Sequence, residues 1–251
     1  MRPRRVLGCG ERAVTAEVRP NYRLMGEIAR LKDRLDMLRP LRGEQVSSLM
    51  SLWVAQTPNY VQASNAVEGN TLTVGETMVI IDEDRVVPNK SMTEHRQAVN
   101  GARAFKMMLE MAAAGKAITI PRLLEIHAAV EAGYDHAGKM RDHAVDIGGS
   151  MHVPPNYTEV PRLMDEAFER FDVSMRDEHP VIVAARLHFD LVTIHPFADG
   201  NGRTSRLAQN LALIENGYPP VLIRGEDRGR DFDVLQRCQV EEPGSETRRS
   251  S

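Results

Sequence analysis

The sequence predicts an all-α protein interrupted by one small β-hairpin. Three observations carry this prediction. Apolar residues recur at spacings of three and four along most of the 251 residues. Serine, threonine, proline and glycine stand at the places where helices start and stop. One stretch, "HAVDIGGSMHV", alternates apolar and polar residues instead.

The first helix begins near Tyr22, where Leu24, Ile28, Leu31, Leu35 and Leu38 form a stripe that ends before Pro40. A second, over about 44–56, holds Val46, Leu49, Met50 and Trp53. A short helix over 58–68 follows, with Pro58 in its first turn and Gly69-Asn70 at its end. Thr73 with Glu76, and Ser91 with Glu94, have the spacing of capping boxes. Behind the second box Val99, Ala102, Phe105, Met108 and Leu109 share a face, and Gly115 stops the helix. Another helix spans Pro121 to about Ala132. The hairpin comes next, with Gly148-Gly149 at its turn. Val160, Leu163, Met164, Ala167, Phe168 and Phe171 then mark a strongly amphipathic helix. "HPVIVAARLHFDLVTI" is apolar almost all round, which predicts a buried central helix. A helix over about 202–216 carries Leu207, Leu211 and Ile214 and ends at Gly217, and a last one runs over about 227–239. These elements divide the chain into a tail (1–20), a helical extension (21–57), a core (58–240) and a second tail (241–251), with both tails expected to be poorly ordered.

The net charge of −3 and the absence of a basic stripe argue against nucleic acid as a partner. Arginines gather at the two ends, in "MRPRR" and "ETRRSS", where solvated tails account for them. Two distant cysteines, Cys9 and Cys238, give neither a metal spacing nor a disulfide framework. No apolar run approaches membrane-spanning length, and no apolar segment follows the N-terminal arginines. A cytoplasmic protein is the expectation.

The chemistry concentrates in "HPFADGNGRTSR", residues 195–206. Gly200-Asn201-Gly202 forms the loop into a helix, where free backbone N–H groups attract anions. A phosphate suits that position, although the spacing is neither a dinucleotide fingerprint nor a Walker loop. Arg203 and Arg206 lie one turn apart near the positive end of the helix, and their planar forks match phosphate oxygens. Asp199 beside phosphates would bind Mg²⁺, which takes one or two carboxylates plus phosphate oxygens. His195 is the group able to exchange a proton near neutral pH with little tuning. His188 lies two turns upstream, but a His188–His195 metal pair lacks a third ligand.

The twelve residues resemble the Fic-domain signature HPFx(D/E)GNGRxxR at every fixed position. "GKMR", "VDIGGSMHVPP", "LHFDLVTIHPF" and "GYPPVLI" are similar to further Fic segments, in order, over roughly residues 60–240. The resemblance implies the helical Fido fold with a β-hairpin flap over the active site. It implies transfer of AMP from ATP to a Ser, Thr or Tyr hydroxyl of a target protein. His195 would then be the base, Asp199 the Mg²⁺ ligand, and Gly200, Asn201, Gly202, Arg203 and Arg206 the phosphate site. Ile147 and Gly148 of the flap would align the target. Phe232 would meet the adenine, where the chain departs from relatives by carrying Asp231 and Gln239 instead of further aromatics and an asparagine.

"SNAVEGN" resembles the Fic inhibitory motif (S/T)xxxE(G/N), with Ser64, Glu68 and Gly69 in the fixed places. The resemblance implies that Glu68 pairs with Arg206 and obstructs productive ATP binding. In some relatives the same glutamate supports removal of AMP, a second activity open to this chain. The alternatives are an ATP-sensing regulatory module with catalysis held off, and transfer from another nucleotide donor. The helices also leave a homodimer open.

Overall fold

The computed structural model describes residues 21–37, 51–227, 229, 233–235 and 239. Among them the regular elements are helices, and none is a strand. Helix α1 spans Tyr22–Asp36 and has no buried residue, and its Lys32 ammonium lies 5.3 Å from the centre of the Tyr218 ring. Residues 51–55 are helical and lead into α2, Thr57–Val67. The main body then comprises α3 (Val74–Asp82), α4 (Met92–Ala113), α5 (Ile120–Val130), α6 (Val160–Asp177), α7 (Pro180–Ile194) and α8 (Asn201–Glu215). Single 3₁₀ turns occupy Tyr157–Glu159 and Gly225–Asp227.

The core is one cluster. α8 packs against α7, α4 and α5, and touches α2, while α6 covers α7 and α3 covers α2 and α4. The sequence points to α7 as the central helix. The structure instead gives that place to α8, with eleven of fifteen residues buried against nine of fifteen in α7. The reason is chemical. Asn201, Arg203, Thr204, Ser205, Arg206 and Asn210 are all buried on α8, and polar residues conceal a buried helix from any apolar count. A smaller correction concerns α4, where Val99 is 39% exposed and Ala98 is fully buried in its stead.

Helix ends follow the chemistry of their residues. Both capping boxes are present at Thr73/Glu76 and Ser91/Glu94, each with its two reciprocal hydrogen bonds. α2 ends in a Schellman motif. The Gly69 N–H donates to the Ala66 carbonyl and the Asn70 N–H to the Asn65 carbonyl, with Gly69 at φ +94°. Glu68 is therefore placed by a defined turn rather than by a loose loop. That turn is anchored to α4, because the Glu94 carboxylate also accepts from the Thr71 N–H at 2.9 Å and the Thr71 hydroxyl at 2.7 Å.

The hairpin is the main correction. Gly148-Gly149 does turn, with the Ser150 N–H donating to the Ile147 carbonyl at 3.0 Å and Gly149 at φ +79°. The flanking residues form no ladder among the described residues. Met151 and Val153 are exposed, and Pro154 and Pro155 lack the N–H a ladder needs. An isolated two-stranded pair with nothing to pack on is marginal in water. The expected helices over 44–56 and 227–239 fall largely outside the described residues, as do Cys9, Cys238 and both tails. No described helix is long and apolar enough to cross a membrane.

Removing the Ser91 cap by Ser91→Ala costs about 1 kcal/mol of unfolding free energy, measurable by urea denaturation. Hydrogen bonds from the Thr71 hydroxyl, then from the Ser91 and Thr71 backbone, pull the Glu94 pKa down to about 2. A depressed carboxylate stabilises the fold above its unfolded pKa and stops doing so as pH falls through the folded value. The melting-temperature gap between the wild-type chain and Glu94→Gln is therefore full at neutral pH. It closes between the ordinary glutamate range and about pH 2.

Candidate functional site

α7 and α8 meet at an elbow, residues 195–200, and the elbow makes the site. α7 ends on His195, which has the left-handed conformation φ +53°, ψ +59°. A non-glycine residue pays for that region in strain and is held there by its surroundings. Three contacts hold it. The His195 N–H donates to the Leu191 carbonyl at 3.0 Å, its carbonyl accepts from Arg141 Nε at 2.8 Å, and its ring Nδ1 lies 3.2 Å from the Val192 carbonyl. A carbonyl can only accept, so Nδ1 carries the hydrogen and Nε2 keeps its lone pair. Burial lowers the His195 pKa, against the Val192 hydrogen bond that raises it. The ring is thus a neutral base at neutral pH.

Arg141, the last residue of "GKMR", organises the elbow, a role the sequence does not assign it. Only 5% exposed, it also donates from Nη1 to the His143 carbonyl and from Nη2 to the Pro155 carbonyl. Its backbone N–H donates to the Pro196 carbonyl at 2.8 Å. One guanidinium therefore closes the base of the 142–156 segment, which holds Ile147 and Gly148, onto the carbonyl of His195. His152 adds a second tie, from Nε2 to the Thr193 carbonyl at 2.8 Å.

The glycine loop is braced from below. Asn201 faces inward, exchanging both side-chain hydrogen bonds with the Phe197 backbone at 2.9 Å. Only its backbone N–H remains for a ligand. Gly200 is left-handed at φ +74°, and a Cβ there would lie 2.6 Å from Glu131 Oε1. His127 is fully buried, stacks on Phe197 at 3.7 Å between centroids, and bonds the Asp199 carbonyl through Nε2. Burial pushes the His127 pKa down to about 4, so it is a neutral donor. His127 and Glu131 are further site residues that the sequence did not flag. Their only signal was a histidine and an acid on the buried side of an apolar helix.

No side chain caps α8 at Gly200, so its N-terminal N–H groups and positive dipole end are open to an anion. Glu68 lies beside that position. Its Oε1 accepts from Arg206 Nη2 at 2.7 Å and lies where any side chain at Gly202 would collide with it. Arg206 is 4% exposed and also donates to the Ser64 hydroxyl at 3.0 Å and the Ser64 carbonyl at 2.8 Å. Gly69 contributes through the α2 turn. Arg203 is 6% exposed, with Nη2 at 2.9 Å from Glu131 Oε1 and 3.3 Å from Asp199 Oδ1. Glu131 Oε1 makes no directed hydrogen bond, so that contact is an ion pair held by charge.

Asp199 is the exposed member, its side chain 67% accessible. One oxygen accepts from the Gly200 N–H at 2.6 Å and from Arg203. A single outward carboxylate beside an anion site fits a Mg²⁺ ion shared with phosphate oxygens and water. A metal held by protein side chains alone does not fit, because no group of three or more His, Cys, Asp or Glu converges among the described residues. His188 is buried and its pKa is pushed down to about 4, by burial first and the Arg206 charge second. Gln239, from the C-terminal region, donates to Thr193 Oγ1 at 3.1 Å. Phe232 lies outside the described residues.

Arg141→Ala leaves three part-buried carbonyls, of His143, Pro155 and His195, without that donor, a loss of about 1–3 kcal/mol in all. The chain should lose stability by that order. Backbone amides over 142–156 should exchange faster than in the parent, read by hydrogen–deuterium exchange. A second check is Gly200→Ala, which combines a left-handed backbone with a collision on Glu131 and should lower the melting temperature by several degrees, about 1–2 kcal/mol.

Comparison with known proteins places this geometry. Residues 117–213 match the Fic/DOC family. The chain is 39% identical over 185 residues to "Protein adenylyltransferase Fic" of Nematostella vectensis, covering 71% of this chain and 42% of that one. It is 37% identical over 212 residues to the protein of the same name from Aedes aegypti, covering 81% of this chain and again 42% of the relative. The chain thus spans less than half the length of these relatives. A Fic domain containing signaling protein from Bacteroides thetaiotaomicron shares its fold with a TM-score of 0.75 at 25% identity, over 85% of this chain and 82% of the other. Fic-1 from C. elegans gives a TM-score of 0.68 at 27% identity, over 85% and 66%. With the elbow of α7 and α8 at its centre, the chain belongs to the Fic family.

Proposed function

We propose that this chain is a protein adenylyltransferase held in check by its own Glu68. The observation that carries the reading is the Glu68 carboxylate on Arg206, beside Gly202 at the α8 N-terminus. An acid there occupies the position a nucleotide phosphate needs and neutralises the cation that would bind it. The names of the relatives, "Protein adenylyltransferase Fic", support the activity.

In the proposed reaction ATP lies with its phosphates against the Gly200-Asn201-Gly202 backbone. The hydroxyl oxygen of a target Ser, Thr or Tyr attacks the α-phosphorus. His195 Nε2 takes the hydroxyl proton, the bond from the α-phosphorus to the bridging oxygen breaks, and pyrophosphate leaves. Mg²⁺, when bound at Asp199, supplies charge neutralisation to the phosphates. Catalysis is mainly in-line positioning and electrostatic stabilisation by preset groups. Ile147 and Gly148, in the segment tied to His195 by Arg141, orient the target backbone by strand addition. That mode suits a segment whose backbone has no ladder of its own. ATP, Mg²⁺ and a target protein carrying a modifiable hydroxyl are the proposed partners, and the cytoplasm is the proposed location.

Glu68 is 37% exposed, so water reaches it. This favours a second activity at the same site, removal of AMP from a modified target with Glu68 orienting water.

Incubation with labelled ATP and Mg²⁺ should give weak self-labelling in the parent, strong labelling in Glu68→Gly, and none in Glu68→Gly/His195→Ala. Equal labelling in all three would reject the assignment. The adduct mass reports AMP against any other donor group. The His195 pKa lies below the ordinary histidine value because burial disfavours the charged ring. Labelling by Glu68→Gly should therefore rise with pH and reach its plateau before neutrality, in a rate-against-pH profile. A profile still climbing above pH 7 would contradict a buried neutral base.

A further inference from the structure

Arg203 and Arg206 stand one turn apart on α8, and the sequence invites the same role for both. Their partners differ. Arg206 is paired with Glu68, whose side chain is 37% exposed on the end of α2. Arg203 is paired with Glu131, whose side chain is 2% exposed under the loop. Removing one member of a buried ion pair strands a charge at low dielectric, so Arg203 does not swing away to clamp a phosphate. Its Nη2 instead spans two carboxylates, Glu131 at 2.9 Å and Asp199 at 3.3 Å. The other Glu131 oxygen is held by His136 Nε2 at 3.2 Å. Gly200 lies directly over Glu131 Oε1, with no room for a Cβ. His127 fixes the Asp199 main chain from the other side through the Asp199 carbonyl at 3.0 Å.

We infer that Glu131 is a positioning residue for the metal-binding carboxylate. It locks Arg203, and Arg203 in turn fixes the side chain of Asp199, so that Arg203 serves the cation site and leaves the phosphates to Arg206 and the loop backbone. This inference rests on the proposed nucleotide site. Its physical basis is that a ligating carboxylate needs a fixed rotamer and a hydrogen-bond donor on its non-ligating oxygen, and groups behind the ligand provide both. Glu131 carries a second consequence. As the counter-charge of Arg203 it leaves Asp199 only partly neutralised, so that Asp199 keeps its attraction for a divalent cation.

The test uses the full chain carrying Glu68→Gly, with Mn²⁺ as the probe and α,β-methylene ATP as a nucleotide that cannot release AMP. Free Mn²⁺ is read by electron paramagnetic resonance, and nucleotide binding is measured separately in EDTA by calorimetry. With Glu131→Gln added, the Mn²⁺ dissociation constant should rise about 10- to 100-fold while nucleotide binding in EDTA changes by less than about 2-fold. Should Glu131→Gln fail to fold, His136→Ala is decisive. It removes the second contact of Glu131 from a part-exposed position and should raise the Mn²⁺ constant in the same direction, by less. An unchanged Mn²⁺ constant overturns the inference. So does an equal loss of nucleotide binding in EDTA, which would make Arg203 a phosphate ligand. Failure of the Glu68→Gly parent itself to bind the nucleotide is a separate result. It removes the proposed function and the inference with it.

Discussion

A guanidinium buried to 4% exposure needs partners, and Arg206 finds Ser64 and Glu68 together on one end of α2. The Ser64 hydroxyl, the Ser64 carbonyl and the Glu68 carboxylate share the cation. Most of the surrounding architecture follows. Gly202 must lack a side chain because Glu68 takes its space. α2 must stop at Glu68, which its Schellman turn ensures. The turn must stay on α4, which Glu94 ensures by capping α4 and gripping Thr71 with the same carboxylate. A helix end, a cap and the glycine loop are thus coupled through one ion pair.

That pair is also poised. An interaction with one partner at the surface exchanges protein for water more cheaply than one with both partners buried. The Glu68–Arg206 contact is of the first kind and the Glu131–Arg203 contact of the second. In the proposed enzyme the exchangeable pair regulates nucleotide access, and the fixed pair shapes the site that receives it. Both arise from arginines three residues apart in one helix turn. Their different behaviour comes wholly from which helix supplies the acid.

The α7–α8 elbow shows a similar division. His195 sits in a strained left-handed conformation and is kept there by the buried Arg141. The same guanidinium closes the 142–156 segment, so the proposed proton acceptor and the segment proposed to carry the target share a support. The segment turns at Gly148-Gly149 but forms no ladder among the described residues, leaving backbone groups unspent.

Periodicity and caps were enough to read nearly every described helix, since those signals are local: spacing along one helix face, and side chains that reach the backbone three residues away. The twelve residues from His195 to Arg206 were legible for the same reason, because a loop and the first turn of a helix carry them contiguously. The hairpin was misjudged because alternation reports a tendency, while a ladder requires a partner surface that this segment lacks. The burial of α8 was invisible because its polar residues find partners on α2, α5 and the elbow, and only the packed fold supplies those. Arg141, His127 and Glu131 lie between 54 and 72 residues before His195, Asp199 and Arg203, the residues they hold. Sequence alone determined which chemistry the chain carries. The tertiary structure decided which acid meets which arginine, because electrostatic pairing depends on distance and burial in space, and neither is encoded by spacing along the chain.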